Sequence, residues 1–473
     1  MKPLFSWLHL SDIHFGHGGA AHAWDQQLVL ACLLSDVSRA GEQGVPKPTR
    51  VFVTGDIAFS GGTRCRPGQA RCTEYEEATQ FLRELARRLG LEPSSILVVP
   101  GNHDVQRSVD RDESVHQLVE QLREGRHELD AALAHPQQRA LLARRQENFL
   151  VWARQFGPTA SEPPTDSEGR LFWTHRTAVE EGLCIRVVGL NTALLSADDA
   201  DQGRLRLGNE QLARALLIPP VEPRELVLVL SHHPLRGGWL ADERDADAWI
   251  RNHAHLHLSG HVHEADSEQA RSGAGGLFVR VVAGAAHGDP VAAGIPAGHG
   301  YNLAAVYLAE GGQLVLRVWP RRWSDKRKAF VADQDNVSGH HPYSEHLLRL
   351  SLPFRDIDEL LQSAHPAERV RGLMEVAVDK NPRYLDRLLG LLRTDAHREV
   401  RAHAALAIDE LREPRAKDGL LAALSDPSWD VRSHAGWGLV HLGPVVLEDV
   451  RRVAQSSDNP DAVQMARLVL ARL

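Results

Sequence analysis

Motifs rich in histidine and carboxylate follow apolar runs at five places along the chain. Each run has the length and composition of a buried strand, so each motif is expected where a strand ends and a loop begins. In chain order the motifs are Ser11-Asp12-Ile13-His14, Gly55-Asp56, Gly101-Asn102-His103-Asp104, His232-His233-Pro234 and Gly260-His261-Val262-His263. A fold that brings these strand ends together gathers six or seven metal-ligating side chains at one place. No other feature of the sequence restricts the fold as strongly.

The first 320 residues alternate strand-like and helix-like segments. The strand candidates are mostly near-continuous apolar runs, which are typical of strands covered on both faces. They are Phe5–Leu10, Val51–Thr54, Ile96–Pro100, Cys184–Leu190, Leu226–Ser231, His255–Ser259 and Leu277–Ala283. Amphipathic stretches such as Trp24–Arg39 and Glu74–Leu89 separate the early strands, and Tyr301–Ala309 with Gln313–Trp319 predicts a late hairpin. The pattern predicts an α/β sandwich with helices on the outside.

The segment 107–156 interrupts this alternation because it is long, charged and helical in character. It directly follows the Gly-Asn-His-Asp motif. A helical insertion at this position would overhang the site and shape substrate access. A pair of helices packed on the surface is the alternative, and the sequence favours neither interpretation.

The composition changes after the first domain, which is predicted to span residues 1–320. Residues 321–358 are expected to form a connector, basic at first and then polar, and residues 359–473 are rich in Ala, Leu, Arg and Asp. In this last segment Val370-Arg371, Val400-Arg401 and Val431-Arg432 recur at intervals of 30 and 31 residues. A period of this length with paired helices is typical of a solenoid. The segment resembles short HEAT-like repeats, and a short all-α solenoid is predicted.

Length and charge limit the classes of protein that fit. A chain of 473 residues is too long for one ordinary core, so two or three domains are expected. A formal net charge of −8 argues against a basic coat for non-specific nucleic-acid binding, although a local basic groove stays open. The sequence shows no recognisable signal peptide and no apolar stretch long enough to span a bilayer. A cytoplasmic protein without membrane contact is therefore expected.

The side chains of the motifs are suited to bind metal ions. Asp12 and His14 are two residues apart, as are His261 and His263, so an extended backbone points the members of each pair to one side. Carboxylate, imidazole and amide oxygen form a mixed hard and borderline donor set. This set suits manganese, iron or zinc better than calcium or magnesium.

Seven such groups can hold two divalent metal ions if one carboxylate bridges them, and Asp56, central in chain order, is the bridging candidate. Two metal ions about 3.5–4 Å apart can polarise a phosphoryl oxygen, generate a hydroxide nucleophile at neutral pH and steady the leaving oxygen. His103 lies beside a ligand candidate and could protonate the leaving alkoxide. Asp104 would then fix the tautomer of His103 and raise its basicity.

Together the five motifs resemble the calcineurin-like metallophosphoesterase superfamily over about residues 4–320. The resemblance implies a β-sandwich flanked by helices and a two-metal phosphohydrolase. It implies one metal ion at Asp12, His14, Asp56 and His263 and a second at Asp56, Asn102, His232 and His261. It also implies His103 as the leaving-group acid. It does not decide between His232 and His233, and His232 is preferred because it ends the strand.

Some motifs resemble one branch of the superfamily, the cyclic-nucleotide phosphodiesterases. These are Leu8-His9-Leu10-Ser11-Asp12, the His-His-Pro motif and Gly189-Leu190-Asn191-Thr192. The expected substrate is a nucleotide or another small phosphodiester. A nuclease of the same superfamily is the alternative, although the capping domain of such enzymes is not evident. The repeats allow a further alternative, a regulatory protein that binds a protein partner through them.

Most other histidines have simpler explanations than metal binding. His253, His255 and His257 alternate before the last motif, as expected for strand packing. His340-His341 is interpreted as a polar loop pair. His17, close to the first motif, is interpreted as structural, with a contact to substrate phosphate as the alternative.

Overall fold

The apolar runs form β-strands that are buried on both faces, and all residues of the strands Glu225–Leu230 and Leu256–Ser259 are buried. The protein is described by a computed structural model at residues 2–18, 20–63, 73–158, 171–218, 220–222, 224–271, 276–287, 298–309, 312–337, 341–351 and 357–473. The strands are β1 (Lys2–Leu10), β2 (Arg50–Thr54), β3 (Ile96–Val99), β4 (Trp173–Ala178), β5 (Cys184–Gly189), β6 (Glu225–Leu230), β7 (Leu256–Ser259), β8 (Asp266–Arg271), β9 (Leu277–Val282), β10 (Gly300–Leu308), β11 (Gln313–Ser324), β12 (Ala329–Ala332) and β13 (Ser344–Ser351).

Amphipathic stretches form the helices between these strands, and the helix Glu74–Leu89 carries recognisable caps at both ends. The helices are α1 (Ala20–Arg39), α2 (Glu74–Leu89), α3 (Glu113–Arg123), α4 (Leu129–Ala134), α5 (Pro136–Arg144), α6 (Glu147–Ala153), α7 (Asn209–Leu217) and α8 (Glu243–His253). In α2, Thr73 and Glu76 form a capping box at the start. Gly90 ends the same helix with a φ of 63°, a left-handed conformation that glycine adopts without strain.

The strands form two sheets that pack face to face. The order of the first sheet is β12-β11-β10-β1-β2-β3, with β13 paired to β11, and the order of the second is β4-β5-β6-β7-β9-β8. β1, β2 and β3 run parallel, as do β5, β6, β7 and β9. One buried cluster contains Phe52 and Leu97 of the first sheet together with Leu228 and Leu256 of the second. The space between the sheets is therefore a closed apolar core.

Helices cover the outer face of each sheet. α1 and α2 pack against the first sheet through residues such as Leu33 and Leu82, and α7 and α8 pack against the second through residues such as Leu212 and Ile250. This is the predicted α/β sandwich with helices outside, and the prediction is confirmed. In the described part of the chain, no helix combines the length and the apolar character that a bilayer crossing requires.

The segment 321–358, expected as a connector, contributes strands to the first sheet. β11 continues to Ser324, β12 pairs with its end, and β13 pairs with its beginning. Arg321, the first residue of the basic run, is buried and donates hydrogen bonds of 2.8 and 2.6 Å to Asp36 on α1. The charge of this segment suggested a solvated connector, because the sequence does not show that Asp36, 285 residues away, pairs with Arg321.

The segment 107–156 is helical, as its composition predicts, and it is packed. Phe149 and Trp152 join the core beneath the first sheet, whereas Leu142 joins the core beneath the second. The fully buried Arg145 binds Asp110 at 2.6 and 2.9 Å. The side chain of Asn148 donates a 2.9 Å hydrogen bond to the carbonyl of Gly61. These contacts show that the helices are packed, and an effect of the segment on substrate access stays a prediction.

The chain divides into two compact units, Met1–Leu352 and Pro353–Leu473. The second unit is all helical: α9 (Ile357–Gln362), α10 (Pro366–Asp379), α11 (Leu385–Thr394), α12 (Arg398–Leu411), α13 (Lys417–Ala423), α14 (Trp429–Leu442), α15 (Leu447–Ser456) and α16 (Pro460–Leu470). α12 packs against both α10 and α14, which is the stacking expected of a solenoid.

An arginine joins each repeat of the second unit to the next. Arg401 donates hydrogen bonds of 2.7 and 3.0 Å to Asp426, and Arg432 lies 3.2 Å from Asp461. In the first repeat the corresponding residue is Arg369, which binds Asp395 at 2.7 and 3.0 Å. The sequence pattern aligned Arg371 with Arg401 and Arg432, and this alignment is wrong by two residues in the first repeat.

Candidate metal centre

The five motifs meet at one end of the sandwich, where parallel strands of both sheets terminate. The peptide N–H of Asp12, after β1, donates to the carbonyl of Gly55, after β2, at 3.1 Å. Across the two sheets, the N–H of His261 donates to the Asp12 carboxylate at 2.9 Å. His232 Nδ1 donates to the carbonyl of Thr54 at 2.8 Å. Residues up to 249 positions apart in the chain are thus joined by direct hydrogen bonds.

Glycine is required where the strands approach most closely. Gly55 has a φ of 91°, and a Cβ atom there would lie 2.7 Å from both the backbone nitrogen of Gly101 and Nδ1 of His232. Neither neighbour can move without displacing a metal-ligand candidate. Any side chain at this position would therefore force the two sheets apart at the site.

The backbone is strained at the ligand candidates themselves. Positive φ angles occur at five of them: Asp12 (52°), His14 (57°), Asp56 (52°), His261 (72°) and His263 (61°). Such a conformation costs a non-glycine residue about 1–3 kcal/mol and persists only where the surroundings enforce it. Strain of this kind is concentrated at functional sites. Here it turns the side chains that follow each strand toward a common centre.

The candidate ligand atoms are spaced as atoms around a cation. Asp56 Oδ2 lies 3.3 Å from Nε2 of both His14 and His232, and Asp12 Oδ1 lies 3.3 Å from Nε2 of His263. Charge-assisted hydrogen bonds are shorter, about 2.7–2.9 Å. Tetrahedral bonds of about 2.0–2.1 Å to zinc instead place neighbouring ligand atoms about 3.3–3.4 Å apart. The spacing therefore fits shared coordination better than direct pairing.

Overlapping groups of these residues place their ligand atoms within 4.8 Å of one another. Asp12, His14 and His263 form one group, and Asp12, Asp56 and His232 form another. His232 Nε2 also lies 2.9 Å from Asn102 Oδ1 and 3.1 Å from His261 Nδ1. The structure thus brings together all seven residues predicted as ligands. Asp56 lies between the groups, at the position expected of a bridging carboxylate.

Two buried carboxylates give the site its affinity for positive charge. Burial opposes the ionisation of Asp12 and Asp56, but neighbouring imidazoles outweigh it: His263 holds the pKa of Asp12, and His232 that of Asp56, below the ordinary range. Asp12 is fully buried, and its Oδ1 has no hydrogen-bond partner among the residues that the structure describes. A buried acceptor without a donor calls for a cation. The residues therefore fit the two metal ions expected for this donor set.

His232 and His233 have different surroundings. His232 donates through Nδ1 to the Thr54 carbonyl, which leaves Nε2 facing Asp56, Asn102 and His261. His233 instead contacts Thr192 Oγ1 through Nδ1 at 3.0 Å. Burial opposes protonation of His232, but the charge of Asp56 raises the pKa of His232 to about 9. His232 thus has the position of a ligand, and one ring nitrogen of His233 also lies within 4.8 Å of the ligand atoms of His232 and His261.

Asp104 does not make the predicted contact with His103. Its carboxylate accepts from the N–H groups of Ala58 and Gly101, both at 2.9 Å, and from the hydroxyl of Tyr75 at 3.0 Å. The partner of His103 Nδ1 is the carbonyl of Phe59, at 3.0 Å. The carboxylate points away because two loops and helix α2 donate to its oxygens. The tautomer of His103 is therefore set by the backbone, and Asp104 holds the loops in place.

The aromatic neighbours of the site were not identified from the sequence. Phe59 stacks on the ring of His103 with centroids 4.7 Å apart, and Trp239 meets His261 edge to face at 4.0 Å. Isolated aromatic residues in loops carry no signal in a single sequence. Three further residues, Asp25, His287 and His299, form a separate group of metal-ligand type, and no motif relates them.

The other histidines are mostly structural. His255 Nδ1 accepts the N–H of Val227 at 3.0 Å, and His257 contacts the hydroxyl of Ser231 at 2.8 Å. His253 ends α8. His17 lies against Phe59, with ring centroids 4.0 Å apart. Of the pair His340-His341, the first lies outside the described residues.

Comparison with known proteins agrees with this geometry. A family model described as calcineurin-like phosphoesterase matches residues 5–265, and one described as HEAT repeats matches residues 357–440. A curated relative from Bacillus subtilis (strain 168) is named "Uncharacterized metallophosphoesterase-like protein YydB". It is 23% identical over 245 residues, which are 50% of this chain and 45% of the relative. The chain thus spans about half the length of that relative.

Solved structures resemble the chain more distantly. A 5'-nucleotidase from Candida albicans SC5314 is 11% identical with a TM-score of 0.36, over 65% of this chain and 49% of that one. A single mutant of Vps29 from Entamoeba histolytica is 11% identical with a TM-score of 0.27, over 72% of this chain and 99% of that one.

The phosphoesterase model covers more than half of the chain and includes every ligand candidate. The predictions of the calcineurin-like phosphoesterase family and of HEAT repeats are confirmed. The chain belongs to the calcineurin-like phosphoesterase family.

Proposed function

We propose that the chain is a metal-dependent phosphodiesterase that hydrolyses a nucleotide or another small phosphodiester. The carrying observation is the pair of buried carboxylates, Asp12 and Asp56, each 3.3 Å from imidazole nitrogens that approach from several strand ends. Two such carboxylates would hold divalent cations, and the cations would place positive charge where a phosphate binds.

Seven residues would hold two divalent cations: Asp12, His14, Asp56 and His263 the first, and Asp56, Asn102, His232 and His261 the second. When bound, such a pair of cations polarises a phosphoryl oxygen and activates water for attack on phosphorus. Manganese or iron suits this donor set, with zinc as the alternative.

His103 is proposed to protonate the leaving oxygen. Its Nδ1–H is donated to the Phe59 carbonyl at 3.0 Å, so Nε2 is the nitrogen that can carry a transferable proton. Its own backbone N–H donates to Asp56 Oδ1 at 2.8 Å, which fixes the residue beside the metal centre. The stacked ring of Phe59 restricts rotation of the imidazole. These contacts fix the orientation of the ring and leave Nε2 available for the leaving oxygen.

The surroundings of the centre support a small substrate. Trp239, half-buried beside His261, offers one aromatic surface, which suits a single base better than a nucleic-acid strand. The net charge of −8 also disfavours a long polyanion.

A panel of substrates tests this proposal. The full chain, stripped of metal and reloaded with Mn²⁺, is assayed against cyclic nucleotides, nucleotides, an activated aryl phosphodiester, DNA and RNA. We expect turnover of a small diester that Asp56→Asn abolishes and that Asp199→Asn, a change at a fully exposed carboxylate, leaves unchanged. Faster cleavage of DNA or RNA than of every small substrate would favour the nuclease alternative instead.

We also propose that the helical repeats bind a protein partner. Trp429 and Trp437 lie on α14 with 63% and 43% of their surface exposed. Large apolar side chains exposed in this way often mark a binding surface, and tryptophan is enriched among the residues that anchor protein interfaces. A chain lacking residues 360–473 should hydrolyse small substrates as before and lose the partner. Loss of turnover in this shortened chain would show that the repeats serve catalysis instead.

A further inference from the structure

A second group of metal-ligand side chains lies beside the candidate metal centre and shares no residue with it. Asp25 on α1, His287 after β9 and His299 before β10 place one ligand atom each within 4.8 Å of one another. His287 and His299 are 1% and 6% exposed, whereas the side chain of Asp25 is 47% exposed. We refer to these three residues as the Asp25 cluster.

The backbone holds the two histidines side by side. His299 forms an isolated parallel bridge with Ala285, and the N–H of Gly300 donates to the carbonyl of Ala285 at 2.7 Å. The two imidazole rings stack at 4.8 Å between centroids, with 13° between their planes. Stacked in this way, both rings present Nε2 to Asp25.

The distances in the Asp25 cluster are long for charge-assisted hydrogen bonds, although the contact between His287 and Asp25 meets the geometry of a weak one. Nε2 of His287 lies 3.3 Å from Asp25 Oδ2, and Nε2 of His299 lies 4.0 Å from the same oxygen. A charged imidazole and a carboxylate would approach to about 2.7–2.9 Å. The 3.3 Å separation instead matches the spacing of two ligand atoms on one zinc ion, about 3.3–3.4 Å.

The tautomer of His287 is not fixed by a contact at its other nitrogen. His287 Nδ1 is buried and has no hydrogen-bond partner in the part of the chain that the structure describes. No described contact therefore prevents the tautomer that carries its proton on Nδ1 and turns the lone pair of Nε2, the atom nearest Asp25, toward a cation.

We propose that Asp25, His287 and His299 bind a third divalent cation of the zinc class, separate from the two of the metal centre. Two imidazoles and one carboxylate are three of the four ligands that zinc takes, and the half-exposed side chain of Asp25 lets water reach the cluster as a fourth ligand. His22, whose ring lies 4.7 Å from that of His287, and its neighbour His17 line the adjoining wall.

The third cation would be coupled to the metal centre through the backbone. The N–H of His287 donates to the carbonyl of Asp12 at 3.2 Å, and the N–H of Ala286 donates to that of Ser11 at 2.8 Å. The cation would therefore brace the loop that carries Asp12. The proposal rests on the geometry of the Asp25 cluster and holds whatever substrate the centre hydrolyses.

Metal stoichiometry tests the proposal. The full chain is stripped with a chelator and equilibrated with Zn²⁺ in a competing-chelator buffer, and bound zinc is counted by mass spectrometry. We expect three equivalents for the natural chain and for His116→Gln, a change at an exposed histidine outside the cluster. Asp25→Asn should bind one equivalent at least about 10–100-fold more weakly. Asp25→Asn is mild because this side chain is half exposed, and circular dichroism verifies its fold.

Two further outcomes separate this site from the metal centre. Asp56→Asn should weaken zinc binding at the metal centre, and the chain should still bind the one zinc ion that depends on Asp25. If the natural chain binds two equivalents and Asp25→Asn keeps both, the third site is refuted while the centre stands. Anomalous diffraction at the zinc edge provides a direct check on the unaltered protein: a loaded centre without a peak between His287 and His299 overturns the proposal.

Discussion

Replacing Arg369 by alanine tests how consecutive helical repeats are joined. Arg369 donates hydrogen bonds of 2.7 and 3.0 Å to Asp395 in the next repeat and one of 2.7 Å to the carbonyl of Ser363. The two charged side chains are only 12% and 5% exposed. The pair is therefore shielded from water, unlike an ordinary surface ion pair.

The expected loss of stability follows from what the substitution leaves behind. Alanine removes the cation and leaves the Asp395 carboxylate nearly buried, and breaking a buried pair in this way costs about 3–5 kcal/mol. The N–H of His397 still donates to Asp395 at 2.9 Å, so the lower end of that range applies, about 3 kcal/mol. At about 3–5 °C per kcal/mol for a unit of this size, the melting temperature of the repeats should fall by about 9–15 °C.

Thermal unfolding of the full chain, followed by calorimetry, measures this effect. Arg371→Ala is the matched control, because Arg371 is exposed and lies two residues along the same helix. We expect it to change stability by less than about 0.5 kcal/mol. An equal or larger loss for Arg371→Ala than for Arg369→Ala would refute the register that the structure assigns to the first repeat.

Three more predictions concern pH, the leaving group and the strand ends. Burial opposes ionisation of Asp395, but the hydrogen bond from Arg369 outweighs it and holds the pKa of Asp395 below its ordinary value. The difference in free energy of unfolding between the natural chain and Arg369→Ala should therefore be largest at pH 7 and decrease below about pH 4, as measured by thermal unfolding at a series of acidic pH values. A difference that increases below pH 4 would contradict the pairing. His103→Ala should keep the metal content and slow hydrolysis by about 10²–10⁴-fold for poor leaving groups and far less for activated ones. Equal loss for both kinds of leaving group would remove His103 from that role. Gly55→Ala should lower the free energy of unfolding by at least about 1–3 kcal/mol. Gly41→Ala is the control and should change nothing, because a Cβ atom there meets open space. An unchanged melting temperature for Gly55→Ala would show that the sheets can separate at this position.

The motifs predicted the position of the site because each candidate ligand directly follows a buried strand in the sequence. A buried strand must end in a loop, and in parallel strands the carboxyl ends share one edge, so residues such as Asp56 and Asn102 could be expected to converge. The hydrogen bond between the N–H of His261 and the Asp12 carboxylate, which joins the two sheets, was not predicted from the sequence. A single sequence does not specify which sheet edges face each other.

The errors and omissions have a different cause. Asp104 follows His103 in the chain, yet its oxygens accept hydrogen bonds from Ala58, in the loop after β2, and from Tyr75 on α2. Arg321 appeared to belong to a solvated connector, yet Asp36 neutralises it inside the first unit. In both places the partner is distant in sequence, and proximity along the chain was a poor guide to contact.

The amino-acid sequence by itself determined the family, the layered α/β unit, the helical repeats and the identity of the side chains at the strand ends. All of these depend on local composition and on short, ordered motifs. Only the tertiary structure decided which nitrogen of His103 is available, which arginine joins the first repeat to the second, and that Asp25 meets His287 and His299. Those features depend on distances between remote segments, which packing of the complete chain sets and local pattern does not encode.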